Sequence, residues 1–320
     1  MKFKKITLIM LSLCLVTLGA LGCSSKVNAK DIPYVFEGVM SLGISNAPPV
    51  DIELNTTLPD LPDKLPVYKV IRPNIDDDFA ADMAENLGFS VEPEPLKGGE
   101  RAVYTYKQDG KTLEINLDGS IAFYGKDDLI KPANMPSEQE CISIAKDWLN
   151  KYGLYPSGTV SIEASTYAQV EEWNMSTGQI SGSYIAGILV KFKVDVGQYE
   201  LYTGGVSIAV GDNGEILKVT IDAPILEEYT SAYIKTAEEA FNLLSAYLSS
   251  PVAAPPEARE CLANMRAFSR LELNQISIGY QYTASRDYGL PILVFKGNAY
   301  DDYTPGLEQF VARVDLVDRK

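Results

Sequence analysis

The 320-residue chain contains no histidine. That removes Ser-His-Asp and Cys-His catalysis, most zinc-ligand sets and any imidazole switch near neutral pH. Cysteine is scarce, four in all, and neither Cys141 nor Cys261 has a basic neighbour in sequence that would activate its thiol. No glycine-rich phosphate loop and no G-x-S-x-G elbow occurs, so no cofactor is expected. Basic residues are outnumbered, 28 Lys and Arg against 43 Asp and Glu, for a formal net charge of −15. Such a charge repels nucleic acid and anionic lipid alike, which argues against a nucleic-acid partner. Long apolar runs are missing after residue 22, so no later segment reads as a membrane span. One catalytic-looking string, Ser143-Ile144-Ala145-Lys146, fits S-x-x-K, but its S-x-N and K-T-G companions are absent. The chain therefore reads as non-enzymatic.

What is present begins at the N-terminus. Lys2, Lys4 and Lys5 precede an uncharged run from Ile6 to Leu18, the small-residue stretch Gly19-Ala20-Leu21-Gly22, and then Cys23 before polar Ser24-Ser25-Lys26. That is the three-part layout of a secretion signal. The apolar run is short of the ~20 residues needed to span a bilayer. The stretch Gly19–Cys23 resembles a bacterial lipobox. The resemblance implies that residues 1–22 are removed and that the Cys23 thiol carries a diacylglyceryl group. The mature chain would then sit on the extracytoplasmic face of the cell membrane, held by its N-terminal lipid. Each buried methylene of such an anchor contributes about 0.8 kcal/mol. A secreted protein or an uncleaved anchor is the competing reading. Outside the reducing cytoplasm a disulfide between Cys141 and Cys261 is allowed; burial of both as free thiols is the alternative.

Residues 23–66 read as a lipid-anchored tether and extended arm. Pro48-Pro49 and the echo Leu58-Pro59-Asp60, Leu61-Pro62-Asp63, Leu65-Pro66 interrupt helices there, although Tyr34–Met40 is apolar enough for a strand. From 67 onward one capped helix followed by strands recurs. Asp76 or Asp77 caps the first helix, whose Phe79, Ala80, Met83 and Leu87 share a face before Gly88. Asp109-Gly110 and Asp118-Gly119 are hairpin turns between strands at 101–108, 112–117 and 120–124. Ser137 and Glu140 form a capping box before Cys141, Ile144, Ala145, Trp148, Leu149 and Tyr152 at helical spacing. Strands follow near 159–170, 185–196, 204–211 and 215–222, the last two joined by Asp212-Asn213-Gly214. Thr236 and Glu239 open a third helix, and another short helix is expected near 256–268. Strands near 272–284, 290–298 and 308–317 close the chain. The expected fold class is α+β, with tandem modules of a helix packed on an antiparallel sheet: 67–134, 135–226 and 227–320.

The carriers Ser137–Tyr152 with Val190–Val196 and Val206–Val219, and Thr236–Leu248 with Pro291–Lys296 and Val311–Val317, together resemble PepSY-type and YycH/YycI-type extracytoplasmic regulatory domains; 135–226 is the PepSY-like unit. That resemblance implies a protein-binding task, holding a sensor kinase, protease or other envelope enzyme in check. Trp173, between Glu171-Glu172 and Asn174, and Tyr184, Tyr199 and Tyr202 form the candidate binding surface, since amphipathic rings bury area while keeping a polar edge wet. A ligand- or glycan-binding lipoprotein is the second reading and a carboxylate-dependent hydrolase the third. Asp76-Asp77-Asp78 and Asp212-Asn213-Gly214-Glu215 read as a helix start and a turn, not as calcium sites.

Overall fold

The computed structural model describes residues 29–34, 50–94, 102–125, 131–156, 158, 160–249, 261–263, 269–283, 285–300 and 307–319. In chain order these form β1 (Asp51–Leu54), β2 (Lys64–Ile71), α1 (Asp77–Asn86), β3 (Ala102–Gln108), β4 (Lys111–Asn116), β5 (Ile121–Tyr124) and α2 (Glu138–Lys151). Then come β6 (Val160–Asn174), β7 (Gln179–Val196), β8 (Tyr199–Leu201), β9 (Gly205–Val210), β10 (Ile216–Asp222), β11 (Ile225–Tyr233) and α3 (Ala237–Ser249). β12 (Cys261–Ala263), β13 (Arg270–Tyr282), β14 (Tyr288–Tyr300) and β15 (Leu307–Asp315) complete the order.

Local chemistry explains the element ends. Asp76 caps α1 by accepting the Phe79 N–H at 2.9 Å, and Asp77 takes the Tyr104 hydroxyl at 2.6 Å, so this acidic run serves a helix start. Ser137 and Glu140 close a reciprocal box at α2, with the Ser137 N–H donating to Glu140 Oε2 at 2.8 Å and the Glu140 N–H to Ser137 Oγ at 3.3 Å. Thr236 and Glu239 do the same at α3, at 2.9 and 3.1 Å. The β3–β4 turn holds Asp109 and Gly110 at φ +53° and +79°, the left-handed geometry that tight hairpins need.

The expected tandem of helix-on-antiparallel-sheet modules is not what the chain builds. Among the described residues the protein is mostly β, with fifteen strands in one connected, mixed sheet and three α-helices. Its main path runs β11-β2-β14-β13-β8-β7-β9-β10-β5-β4-β3. Ladders cross every expected module boundary. β5 pairs with β10, and β2 pairs with β11 and β14. The three-residue β8 joins the two halves, antiparallel to β7 and parallel to β13. The physical reason is edge satisfaction. Each short run of strands leaves unpaired N–H and C=O groups at its borders, and distant strands, not local closure, supply their partners.

Two further expectations change. In the arm, Asp51–Leu54 adds in parallel to β13 and Lys64 begins β2, so part of it is sheet. Within the helix expected near 256–268, residues 261–263 form a strand paired with β15; its other residues lie outside those described. The strand expected at 34–40 also falls outside them after Tyr34.

Strand alternation decides what each face meets. Val190 and Phe192 of β7, Val206 and Ile208 of β9 and Val219 and Ile221 of β10 share a core with Cys141, Ala145 and Leu149 of α2. Leu293 and Phe295 of β14 and Ala312 and Val314 of β15 pack with Ala240 and Leu244 of α3. Among the described residues no α-helix packs on the opposite faces of these same strands.

Candidate functional site

The uncovered faces enclose the first candidate site. Lys191 lies across from Ser207, which lies across from Thr220. With Lys193, Gly205 and Asp222 they make one wall of a cleft of about 680 Å³. The other wall is Gln309, Val311 and Arg313, every second residue of β15, with Lys296 of β14 directly opposite Val311. Glu200, Leu201 and Tyr202, from β8 and the residue after it, also line the cleft.

Charge is distributed unevenly here. Lys193 Nζ reaches Glu163 at 2.6 Å and Glu200 at 3.0 Å. Burial alone would lower its pKa, but those two carboxylates hold the ammonium above its ordinary value. Asp222 is taken by Arg286. Lys296 and Arg313 both approach the Tyr202 ring, at 5.2 and 5.4 Å from its centroid. Arg313 donates to Gln281 Oε1 at 3.1 Å. Desolvation pushes the Arg313 pKa down, opposed by Tyr202 and Glu200.

A bridge stands behind this wall. Arg286, at φ +60°, pairs with both Asp118 and Asp222, and Arg72 donates to the Arg286 carbonyl at 2.6 Å. Burial raises the Asp222 carboxyl despite Arg286. Burial would also raise Asp118, but hydrogen bonds from Ser120 and the charges of Arg286 and Arg72 hold it below the usual range. The hydroxyl of Tyr282 is buried with no hydrogen-bond partner; it lies 3.2 Å from where a Cβ on Gly204 would stand.

The second candidate site is the tip of the β6–β7 hairpin. Trp173 pairs across the ladder with Ile180. Trp173, Ile180 and Met175 are 56%, 52% and 93% exposed. The tip is built to hold this shape: Asn174 Oδ1 accepts the Ser176 N–H at 2.9 Å, the Gly178 N–H closes on the Asn174 carbonyl at 2.8 Å, and Gly178 takes φ +66°. Glu172 at its base approaches Lys131 at 3.8 Å, and Lys131 stands 5.8 Å from the Tyr184 ring.

The four aromatics expected on one surface are thus divided. Trp173 and Tyr184 belong to the hairpin, whereas Tyr202 lines the cleft. Tyr199 packs with Val70, Val196 and Leu201, its ring 5.9 Å from that of Tyr280, and so serves the core. From Tyr184 to Tyr199 the chain runs most of β7, about 40 Å at strand rise. Cys23 lies outside the described residues. Cys141 is a buried free thiol, with Sγ 3.7 Å from the Pro136 carbonyl, which leaves no Cys141–Cys261 disulfide in this structure. Ser143 of the S-x-x-K string is exposed on α2. Lys191, Lys296 and Arg313 were not singled out from sequence; the only signal was a cation alternating with buried residues, as in Val190-Lys191-Phe192 and Ala312-Arg313-Val314.

Among the described residues no group of three His, Cys, Asp or Glu could hold a metal ion, and no helix is long and apolar enough to cross a membrane. The chain matches no known family model, and no curated protein matches it in sequence.

Proposed function

We propose that this is a lipid-anchored protein of the extracytoplasmic face that binds, and thereby modulates, another envelope protein without chemistry of its own. The observation that carries the reading is the hairpin tip, where Trp173, Met175 and Ile180 stand in solvent on a turn pinned by Asn174. Large apolar side chains clustered in solvent on one projection mark an interaction surface, and Trp is among the residues that dominate interface energetics. The flanking Glu171 and Glu172, in a chain of net charge −15, favour a partner whose apolar pocket has a basic rim. The PepSY-like and YycH/YycI-like resemblance adds the expectation that this partner is a sensor kinase, protease or envelope enzyme. The lipid anchor rests on Cys23 and its surrounding lipobox-like residues.

A photo-crosslinking residue in place of Met175, activated in intact cells, tests the partner. The expected outcome is an adduct with one envelope protein, identified by mass spectrometry, that disappears when Trp173→Ala is added. Adducts indistinguishable from those of a crosslinker placed at exposed Asn150 of α2 would overturn the reading. Labelled fatty acid retained by the wild-type chain and lost in Cys23→Ala tests the anchor.

The cleft favours a second reading, a lipoprotein that holds a small ligand. A hydrolase is less well supported, because Glu200 and Asp222 are both engaged by cations.

A further inference from the structure

We infer that the cleft between β7–β10 and β14–β15 binds a small ligand carrying two or more carboxylate or phosphate groups. The inference rests on the ligand-holding reading of the cleft and is independent of the hairpin and its partner.

Six charged side chains line the cleft: Lys191, Lys193, Lys296, Arg313, Glu200 and Asp222. Both carboxylates are already committed, Glu200 to Lys193 and Asp222 to Arg286. No ion pair joins Lys191, Lys296 or Arg313 to an acidic group among the described residues. Lys191 is exposed at the rim, whereas Lys296 and Arg313 are set into the concavity. Lys296 and Arg313 are half-buried; Glu200 acts on Arg313 only through space, and a half-buried cation without a paired carboxylate is stabilised when an anion supplies one.

The stereochemistry suits an oxyanion. Gln281 engages one nitrogen of the Arg313 guanidinium, while a guanidinium offers five N–H donors in a planar fork that matches carboxylate and phosphate oxygens. Lys296 adds a point charge on the same sheet face, diagonal to Arg313 across the β14–β15 ladder. The Tyr202 ring lies near both heads and presents an apolar surface beside the anion. On the facing wall Lys191 supplies a third charge, and Ser207 and Thr220 supply hydroxyls. The volume of about 680 Å³ falls within the range of small-molecule sites. One charge on the ligand would leave one of the two half-buried cations uncompensated, so the site calls for a ligand with two or more anionic groups.

Calorimetry on the full-length chain in detergent tests this, with pyrophosphate as the phosphate probe and citrate as the carboxylate probe. Salt near 0.15 M screens the repulsion from distant acidic groups beyond about 8 Å while leaving cleft contacts intact. Saturable one-to-one binding of at least one probe is expected, with Arg313→Gln and Lys296→Gln each weakening it about tenfold. Response to pyrophosphate alone assigns a phosphate ligand, and response to citrate alone assigns a carboxylate one. Lys131→Gln and Trp173→Ala, both at the hairpin, are expected to leave affinity unchanged, which separates this result from any failure of the partner reading. Should Arg313→Gln fail to fold, Lys296→Gln carries the test. Binding of neither probe, or binding that Lys296→Gln leaves untouched, overturns the inference.

Discussion

The two ends of β7 make opposite use of one strand. At its start, near Ile180 and Tyr184, both faces of the ribbon meet solvent, and the side chains that matter are apolar ones left outside. Farther along, Val190 and Phe192 are buried under α2 while Lys191 and Lys193 face the cleft. The hairpin end gains its distinction from exposing what would normally be buried. The cleft end gains it from enclosing what would normally be exposed. Residue type pointed to Trp173 and Tyr184 of the hairpin but not to the cleft, because Lys and Arg are common on any open surface.

The comparison predicts that the cleft end depends on the core and that the hairpin end does not. Phe192→Ala should have the largest effect, destabilising by about 3–5 kcal/mol, because Phe192 is 1% exposed beneath two strands that carry the cleft wall. Urea unfolding measures it, and a loss under 1 kcal/mol would mean that the wall and the α2 core are uncoupled. Cys141→Ser should destabilise by about 1–3 kcal/mol, since it puts a hydroxyl where Cys141 is fully buried among apolar groups. The same burial pushes the thiol pKa up, with Glu140 and Glu138 adding to it. In a Cys14→Ala, Cys23→Ala, Cys261→Ala background, native Cys141 should therefore resist thiol reagents and label fully only in denaturant.

The bridge behind the cleft sharpens the comparison through pH. Asp118 is held below its ordinary pKa, so its contribution is present at neutral pH and lost as pH falls through that depressed value. Asp222 is raised by burial, so its ionised form opposes folding at neutral pH, and that opposition is relieved as pH falls through the raised value. The two aspartates on one arginine thus have opposite signs. Asp118→Asn should cost about 1 kcal/mol at pH 7 and flatten the acid limb of stability, whereas Asp222→Asn should be neutral or stabilising there. Equal losses from both variants would show that Arg286 treats them alike. The smallest effect belongs to the other end of β7. Trp173→Ala should change stability by no more than about 0.5 kcal/mol, as for a surface site, even as it abolishes the crosslink from position 175.

Much of the local structure was legible because it rests on short-range chemistry. The Ser137–Glu140 and Thr236–Glu239 boxes, the Asp76 cap and the Asp109-Gly110 turn stand where their side chains dictate. Elements with weak local signals were missed. β8 is three residues long, and β11 reads Ile-Leu-Glu-Glu-Tyr-Thr-Ser-Ala-Tyr, with little alternation. Both also carry ladders across the expected module boundaries, as does the β5–β10 pair, whose two strands were expected.

The sequence by itself determined the helix starts, the hairpin turns, the inward faces of the long strands and the absence of imidazole chemistry. Each depends on residues a few positions apart, where spacing along the chain is spacing in space. Only the tertiary structure decided that the strands join one mixed sheet instead of closing module by module, and that Lys191, Lys296 and Arg313 converge. Strand partners 79 to 221 positions distant meet through backbone hydrogen bonds that every sequence offers equally, so their choice is set by which edges remain open once the helices have covered their faces.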